Sequence, residues 1–293
     1  MFYEKVIHST ILKFYYLIKP LLPRTLQVFM RRIIVKRQRI KYSNVWPINE
    51  KTAVPPDGWQ GWPENKKFAL VLTHDVEDQR GYKRVEKLLE LEKKQGFKSS
   101  FNFVPKRYTV THELRTFLRE NGFEIGVHGL YHDGKLYNNQ QRYQHRGIEI
   151  NKYLQEWGAV GFRAPSMHQN LDWNCYLNIE YDLSSFDTDP FEPQSAGTGT
   201  IFPEIFQNCA LRQDCQLDCN GYVEMPYTLP QDYTTFILMQ EKGIDIWKQK
   251  IDWVAVKGGM VLLNTHPDYM CFGVINGKLM SILRNIICNS FTT

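Results

Sequence analysis

The stretch KFALVLTHDVEDQR, residues 67–80, decides how this chain is read. Phe68 to Leu72 form an unbroken apolar run, the pattern of a short strand covered on both faces. Immediately afterwards Thr73, His74, Asp75, Glu77 and Asp78 crowd into six positions. Ionisable groups at the end of a buried strand cost desolvation energy, so stability does not explain them and a functional site does.

Moving downstream, the same alternation recurs. The helix pattern YKRVEKLLELEKKQG (82–96) carries Val85, Leu88 and Leu89 at helical spacing and ends at a glycine. Then follow strand SSFNFV, helix HELRTFLRENG, strand FEIGVH, helix RGIEINKYLQEWG, strand VGFRAP, a short helix near Asp172, and strand YDLSSF. After an irregular stretch come strand YVEMP, helix IDIWKQKIDWVAVKG and strand GMVLLNTH. Seven strands interleaved with helices predict an α/β fold with a parallel, closed or nearly closed barrel. Asp75, His128, Arg163, Asp187 and His266 each fall just past a strand end, and in a parallel barrel those ends converge on one face.

The chemistry of these residues is consistent with a metal site. His128 and His132, four apart in HGLYHDG, face one side of a helical turn or of a loop curled like one. Asp75 and Glu77 are two apart, so an extended backbone aims both the same way. Two histidines and a carboxylate leave an open position, as in a catalytic rather than a structural site. The backbone N–H groups around Ser166 and Met167, just after Pro165, are candidate donors for negative charge developing at such a site. Phe186, with Tyr131 and Trp173, is an aromatic candidate for stacking on a sugar ring or for packing at the barrel mouth. The stretch FDTDPFEPQSAGTGTIFPE (186–204) reads as a substrate-binding loop, and His74, His112, His145 and His168 as loop or surface histidines.

In order and spacing, THDVED, HGLYH, GFRAPSM, SSFDTDP and LLNTHPD resemble the five motifs of the polysaccharide deacetylase family, carbohydrate esterase family four. The resemblance implies a distorted seven-stranded (β/α) barrel and one divalent metal, commonly zinc. The implied reaction is removal of an N- or O-acyl group, N-acetyl first, from a sugar or glycan precursor of a surface polysaccharide. It makes Asp75 the general base, oriented by Arg163, and His266 the general acid, tuned by Asp187. It gives the metal to His128, His132 and a carboxylate just behind Asp75. Two positions depart from the family pattern. Val76 stands where the metal-binding aspartate is usual, which leaves Glu77, or Asp78, as the third ligand; Gly129 replaces the usual Ser or Thr. Past Asp268 the long closing helix is missing from the sequence pattern, which reads as an atypical or truncated C-terminus.

Outside the barrel (68–293), residues 43–67 are a Pro- and Trp-rich connector and 1–42 a basic arm. Residues 1–41 hold ten Lys or Arg against Glu4 alone, a charge of +9; the remaining 26 bases and 30 acids leave −4. Cations interrupt the apolar patches of the arm every few residues, too often for a membrane span and without a signal-peptide cleavage site. The arm reads as an amphipathic segment lying on an anionic membrane face, or as a helix packed on the main domain with its charges in solvent. It is too apolar for nucleic-acid binding. Six cysteines without a secretory signal, with Cys209, Cys215 and Cys219 at spacings unlike zinc motifs, point to a reducing, cytoplasmic compartment. Beside the deacylase, two readings stay open: a glycan-binding barrel disabled at Val76, and a deformylase or non-sugar amidohydrolase.

Overall fold

The computed structural model describes residues 23–194, 197–206 and 221–269. The cysteine cluster at 209–219, the first half of the basic arm and the C-terminal segment from 270 lie outside the described residues.

Strand β1 (Ala69–Val76) is the apolar run together with the start of the acidic cluster. It pairs in parallel with β2 (Ser100–Phe103) on one side and β8 (Met260–Thr265) on the other. The sheet continues in parallel through β3 (Glu124–Val127), β4 (Gly161–Phe162), β5 (Tyr181–Asp182) and β7 (Tyr222–Glu224). These are the seven strands expected from the sequence. An eighth, β6 (Glu204–Phe206), was not foreseen and adds antiparallel to β7 at the sheet edge. The barrel is distorted where it closes: no regular ladder joins β7 to β8, and Thr228 N and Leu229 N each donate to Leu262 O at 3.1 Å.

Helix α1 (Arg24–Lys41) precedes the barrel. The crossover helices include α2 (Gln79–Tyr82), α3 (Val85–Lys94), α4 (His112–Glu120), α5 (Gln140–Trp157), α6 (Leu171–Asn174) and α7 (Asp245–Lys257). Local chemistry sets their ends. Thr111 caps α4 by accepting from Leu114 N, Asn139 caps α5 by accepting from Arg142 N, and α5 stops at Gly158 in the left-handed region. Leu88, Leu89, Leu118, Ile150 and Leu154 from these helices bury against Phe101, Phe103, Val127 and Phe162 of the strands. Each such side chain contributes about 1.5–3 kcal/mol of transfer free energy. The connector is pinned by its tryptophans: Trp46 packs edge-on against Phe191, and Trp62 Nε1 donates to Gly258 O at 2.8 Å.

Strand alternation sorts β1 into two faces. Thr73 and Asp75 face Arg163, Asn102 and Asn264. His74 points the other way, under α3, where it bonds Glu92 at 2.8 Å and Thr265 Oγ1 at 2.7 Å. It is a buried core histidine, not the loop or surface residue the sequence suggested.

Candidate active site

The site forms at the C-terminal ends of the parallel strands. Asp75, near the end of β1, is buried, with each carboxylate oxygen held by an amide: Asn102 Nδ2 donates to Oδ1 at 3.0 Å and Asn264 Nδ2 to Oδ2 at 2.8 Å. Arg163, just beyond β4, places Nε 3.3 Å from Asp75 Oδ1 and is itself steadied by Thr73 Oγ1 at 3.0 Å. Burial raises the Asp75 pKa, but Arg163, His128, His266 and Asn264 together outweigh it and hold the carboxyl below its ordinary value. Asp75 is therefore an anion fixed in orientation.

Glu77, His128 and His132 each offer one ligand atom, and these atoms lie within 4.8 Å of one another. His128 follows β3, and its Nδ1 lies 3.1 Å from Arg163 O; donation to that carbonyl leaves the Nε2 lone pair free. His132 Nε2 is buried 3.1 Å from Glu77 Oε1, yet has no hydrogen-bond partner among the described residues. A buried nitrogen beside a carboxylate with no bond made is what a cation-binding cradle requires, so the donor set fits a divalent metal such as zinc. Asp78 is engaged elsewhere: it caps α2, accepting from Arg80 N and Gly81 N.

The two histidines sit on a loop, not a helix. Gly129 has φ +61°, and a Cβ built there would lie 2.3 Å from Pro165 Cγ. The departure at this position thus has a steric cause: the loop carrying His128 and His132 presses directly on the loop carrying Arg163.

His266 follows β8, and its partner is Asp232, not the expected Asp187. Asp232 Oδ1 lies 2.6 Å from His266 Nδ1, and Oδ2 accepts the His266 backbone N–H at 2.8 Å. Burial lowers the His266 pKa, but Asp232, Glu77 and Asp75 overcome it and push the value to about 10. Nε2 is left 3.9 Å from Glu77 Oε1, facing the cradle. Asp187 instead forms a buried ion pair with Lys250 at 2.8 Å. The sequence missed Asp232 because it lies just before an irregular π-helical turn (Tyr233–Leu238) and follows no strand.

The expected substrate-binding residues divide. Phe186 is wholly buried with its ring against Tyr227, centroids 5.5 Å apart, so it is core and cannot stack on a sugar. The Met167 side chain joins the same cluster. What reaches the mouth from this segment is exposed Ser166 and the backbone: Ser166 and Met167 take φ +58° and +51°, a left-handed turn that L-residues adopt at a cost. Trp173 packs against Tyr137 and Tyr143, and only Tyr131 of the proposed aromatics is well exposed.

Two further residues escaped notice in the sequence. The Asp268 carboxylate accepts from Glu77 N at 2.9 Å, Asp78 N at 3.0 Å and Gly81 N at 3.1 Å, tying the first loop to the last. Tyr269 Oη donates to Glu77 Oε2 at 2.9 Å.

This architecture has solved counterparts. The chain aligns with a candidate polysaccharide deacetylase of Mycobacterium smegmatis at TM-score 0.59 and 17% identity, over 80% of this chain and 88% of that one. The fold is that of the polysaccharide deacetylases. A candidate polysaccharide deacetylase of Pseudomonas aeruginosa aligns at TM-score 0.56 and 15% identity, over 79% and 87% of the two chains. The polysaccharide deacetylase fold also extends to an allantoinase, at TM-score 0.61 and 15% identity, over 78% and 86%. No family model matches the sequence, and no curated protein does either.

Proposed function

We propose that this chain is a metal-dependent hydrolase that removes an acyl group, N-acetyl first, from a sugar or glycan precursor. The observation that carries the reading is the Glu77, His128, His132 cradle set between an anionic Asp75 and a His266 held by Asp232. Glu77, His128 and His132 would hold the metal, which when bound supplies Lewis-acid polarisation of the acyl carbonyl and acidifies water.

The chain's own residues supply the proton transfers. Asp75 accepts the proton of the attacking water; Arg163, Asn102 and Asn264 keep its carboxylate in place for that step. The backbone N–H groups at Ser166 and Met167 are the donors proposed for the oxyanion. His266 carries its proton on Nε2 toward the leaving nitrogen or oxygen while Asp232 stabilises the imidazolium. An intact set of proton-transfer groups favours a working enzyme over a disabled glycan-binding barrel.

The test is a screen of purified, metal-loaded protein against N-acetylated and N-formylated sugar nucleotides, acetylated chito-oligomers and a cyclic ureide, read by released acid or ring opening. Acetate release from a sugar that disappears in Asp75→Asn supports the proposal. Ring opening without sugar deacylation would move the assignment to the non-sugar amidohydrolases.

A further inference from the structure

Helix α1 is built inside out. Its sequence, RTLQVFMRRIIVKRQRIK, carries seven basic side chains and no acidic one. A helix that packs on a domain ordinarily turns its apolar stripe inward. Here the inward face is largely polar: Arg32 Nε donates to Ile237 O at 2.9 Å, Gln38 Nε2 to Pro190 O at 2.9 Å, and Arg39 pairs with Glu241 at 2.5 Å. Val35 alone is buried, joining Trp46, Phe191 and Leu238. Leu26, Phe29, Ile33 and Ile40, spaced three, four and seven apart, line the opposite face and are 42%, 58%, 42% and 74% exposed. Lys36, Arg37 and Lys41 are exposed along the same stripe.

We propose that this outward face of α1 docks on an anionic lipid bilayer. An apolar stripe of about four turns edged by cations, with no carboxylate to oppose them, matches the boundary between acyl chains and anionic headgroups. A second copy fits poorly, because opposing two such faces would bring Lys36, Arg37 and Lys41 against the same three cations with no carboxylate between them. The chain upstream continues the same chemistry, with Lys5, Lys13 and Lys19 set among apolar residues and Glu4 the sole acid. None of the described helices is long and apolar enough to cross a membrane.

The helix also borders the site. Arg24, in its first turn, lies within electrostatic reach of Tyr269, the residue that donates to Glu77. Lipid binding needs neither a metal nor turnover, so its failure is separate from failure of the hydrolase reading.

The experiment is co-sedimentation of the full chain with phosphatidylglycerol-containing vesicles and with pure phosphatidylcholine vesicles, at low and high salt. We expect binding to the anionic vesicles that weakens at least fivefold as salt rises. Phe29→Glu with Ile33→Glu, and separately Lys36→Glu with Arg37→Glu, should each cut it at least tenfold with the melting temperature unchanged. Binding undiminished in both variants would overturn the proposal by assigning the contact to residues 1–22. A fall in melting temperature in the apolar pair would overturn it by showing that the stripe packs on protein. So would a wild-type dimer that the same pair dissociates, or no vesicle binding at all.

Discussion

Asp232 and His266 form the tightest acid–imidazole contact around the site, 2.6 Å between Oδ1 and Nδ1, and their geometry leaves Nε2 turned toward Glu77. A general acid must be protonated when the leaving group departs, so activity should fall as pH rises through the His266 pKa. Asp232 is the largest influence holding that value up against burial. In Asp232→Asn the alkaline limb of kcat/KM should shift to lower pH, with kcat reduced roughly 10- to 100-fold. An alkaline limb that stays in place would separate Asp232 from the mechanism.

The same pair links stability to pH. The folded pKa of His266 is about 10, above its ordinary 6.5, so its stabilisation is full below about pH 6.5 and is lost as pH rises through about 10. In metal-free protein, the melting-temperature gap between wild type and Asp232→Asn should be widest below pH 6.5 and close toward pH 10. A gap that widens with pH would contradict the assignment.

Asp187 and Lys250 are both about 1% exposed at their side chains and 2.8 Å apart. Removing one partner strands a buried charge, which costs about 3–5 kcal/mol, whereas removing both with apolar side chains of similar volume costs far less. Asp187→Ala should therefore lower stability in urea unfolding by about that amount, and Asp187→Leu with Lys250→Met should restore much of it. Neither change should move the pH–rate profile as Asp232→Asn does, because the ion pair does not engage His266.

What the sequence made legible follows from how the barrel is built. Asp75, His128, Arg163 and His266 stand out because each interrupts or follows an apolar run whose burial on both faces leaves no stabilising use for charge. Asn102 and Asn264 obey the same logic inside β2 and β8, and their amides meet at Asp75, yet a neutral side chain in a strand attracts less notice. Asp232 could not be found that way, since neither strand alternation nor helical periodicity marks the segment before the π-helical turn. Phe186 was misplaced for the converse reason: aromatic character says nothing about which side of a strand end a ring occupies. The direction of the apolar stripe of α1 stayed open between a membrane face and the domain, because amphipathicity fixes a stripe but not the direction in which it points.

Gly129 offers a steric test of the His128–His132 loop. Alanine there would carry its Cβ into Pro165 and hold φ +61°, a combination costing about 1–3 kcal/mol. The relief open to the loop is to move away from the Arg163 segment, carrying both histidines with it. Gly129→Ala should weaken metal binding at least tenfold by calorimetric titration, although no candidate ligand is altered. Unchanged affinity would mean that the two loops separate without disturbing the cradle.

The division of labour among the three neighbouring carboxylates can be resolved by metal content and turnover together. Glu77 lies with His128 and His132, Asp78 caps α2, and Asp75 is enclosed by Asn102, Asn264 and Arg163. Glu77→Ala should therefore lower bound metal per chain sharply. Asp78→Ala should keep the metal and lose only about 1 kcal/mol of stability with the cap. Asp75→Asn should also retain metal, since it removes no proposed ligand, while turnover falls by ~100- to 10,000-fold because an amide cannot take the proton from water. Metal lost from Asp75→Asn but kept by Glu77→Ala would exchange the two roles. Because Asp75 Oδ2 is 3.9 Å from His128 Nε2, that outcome is geometrically accessible, and the pair of measurements distinguishes it from the assignment made here.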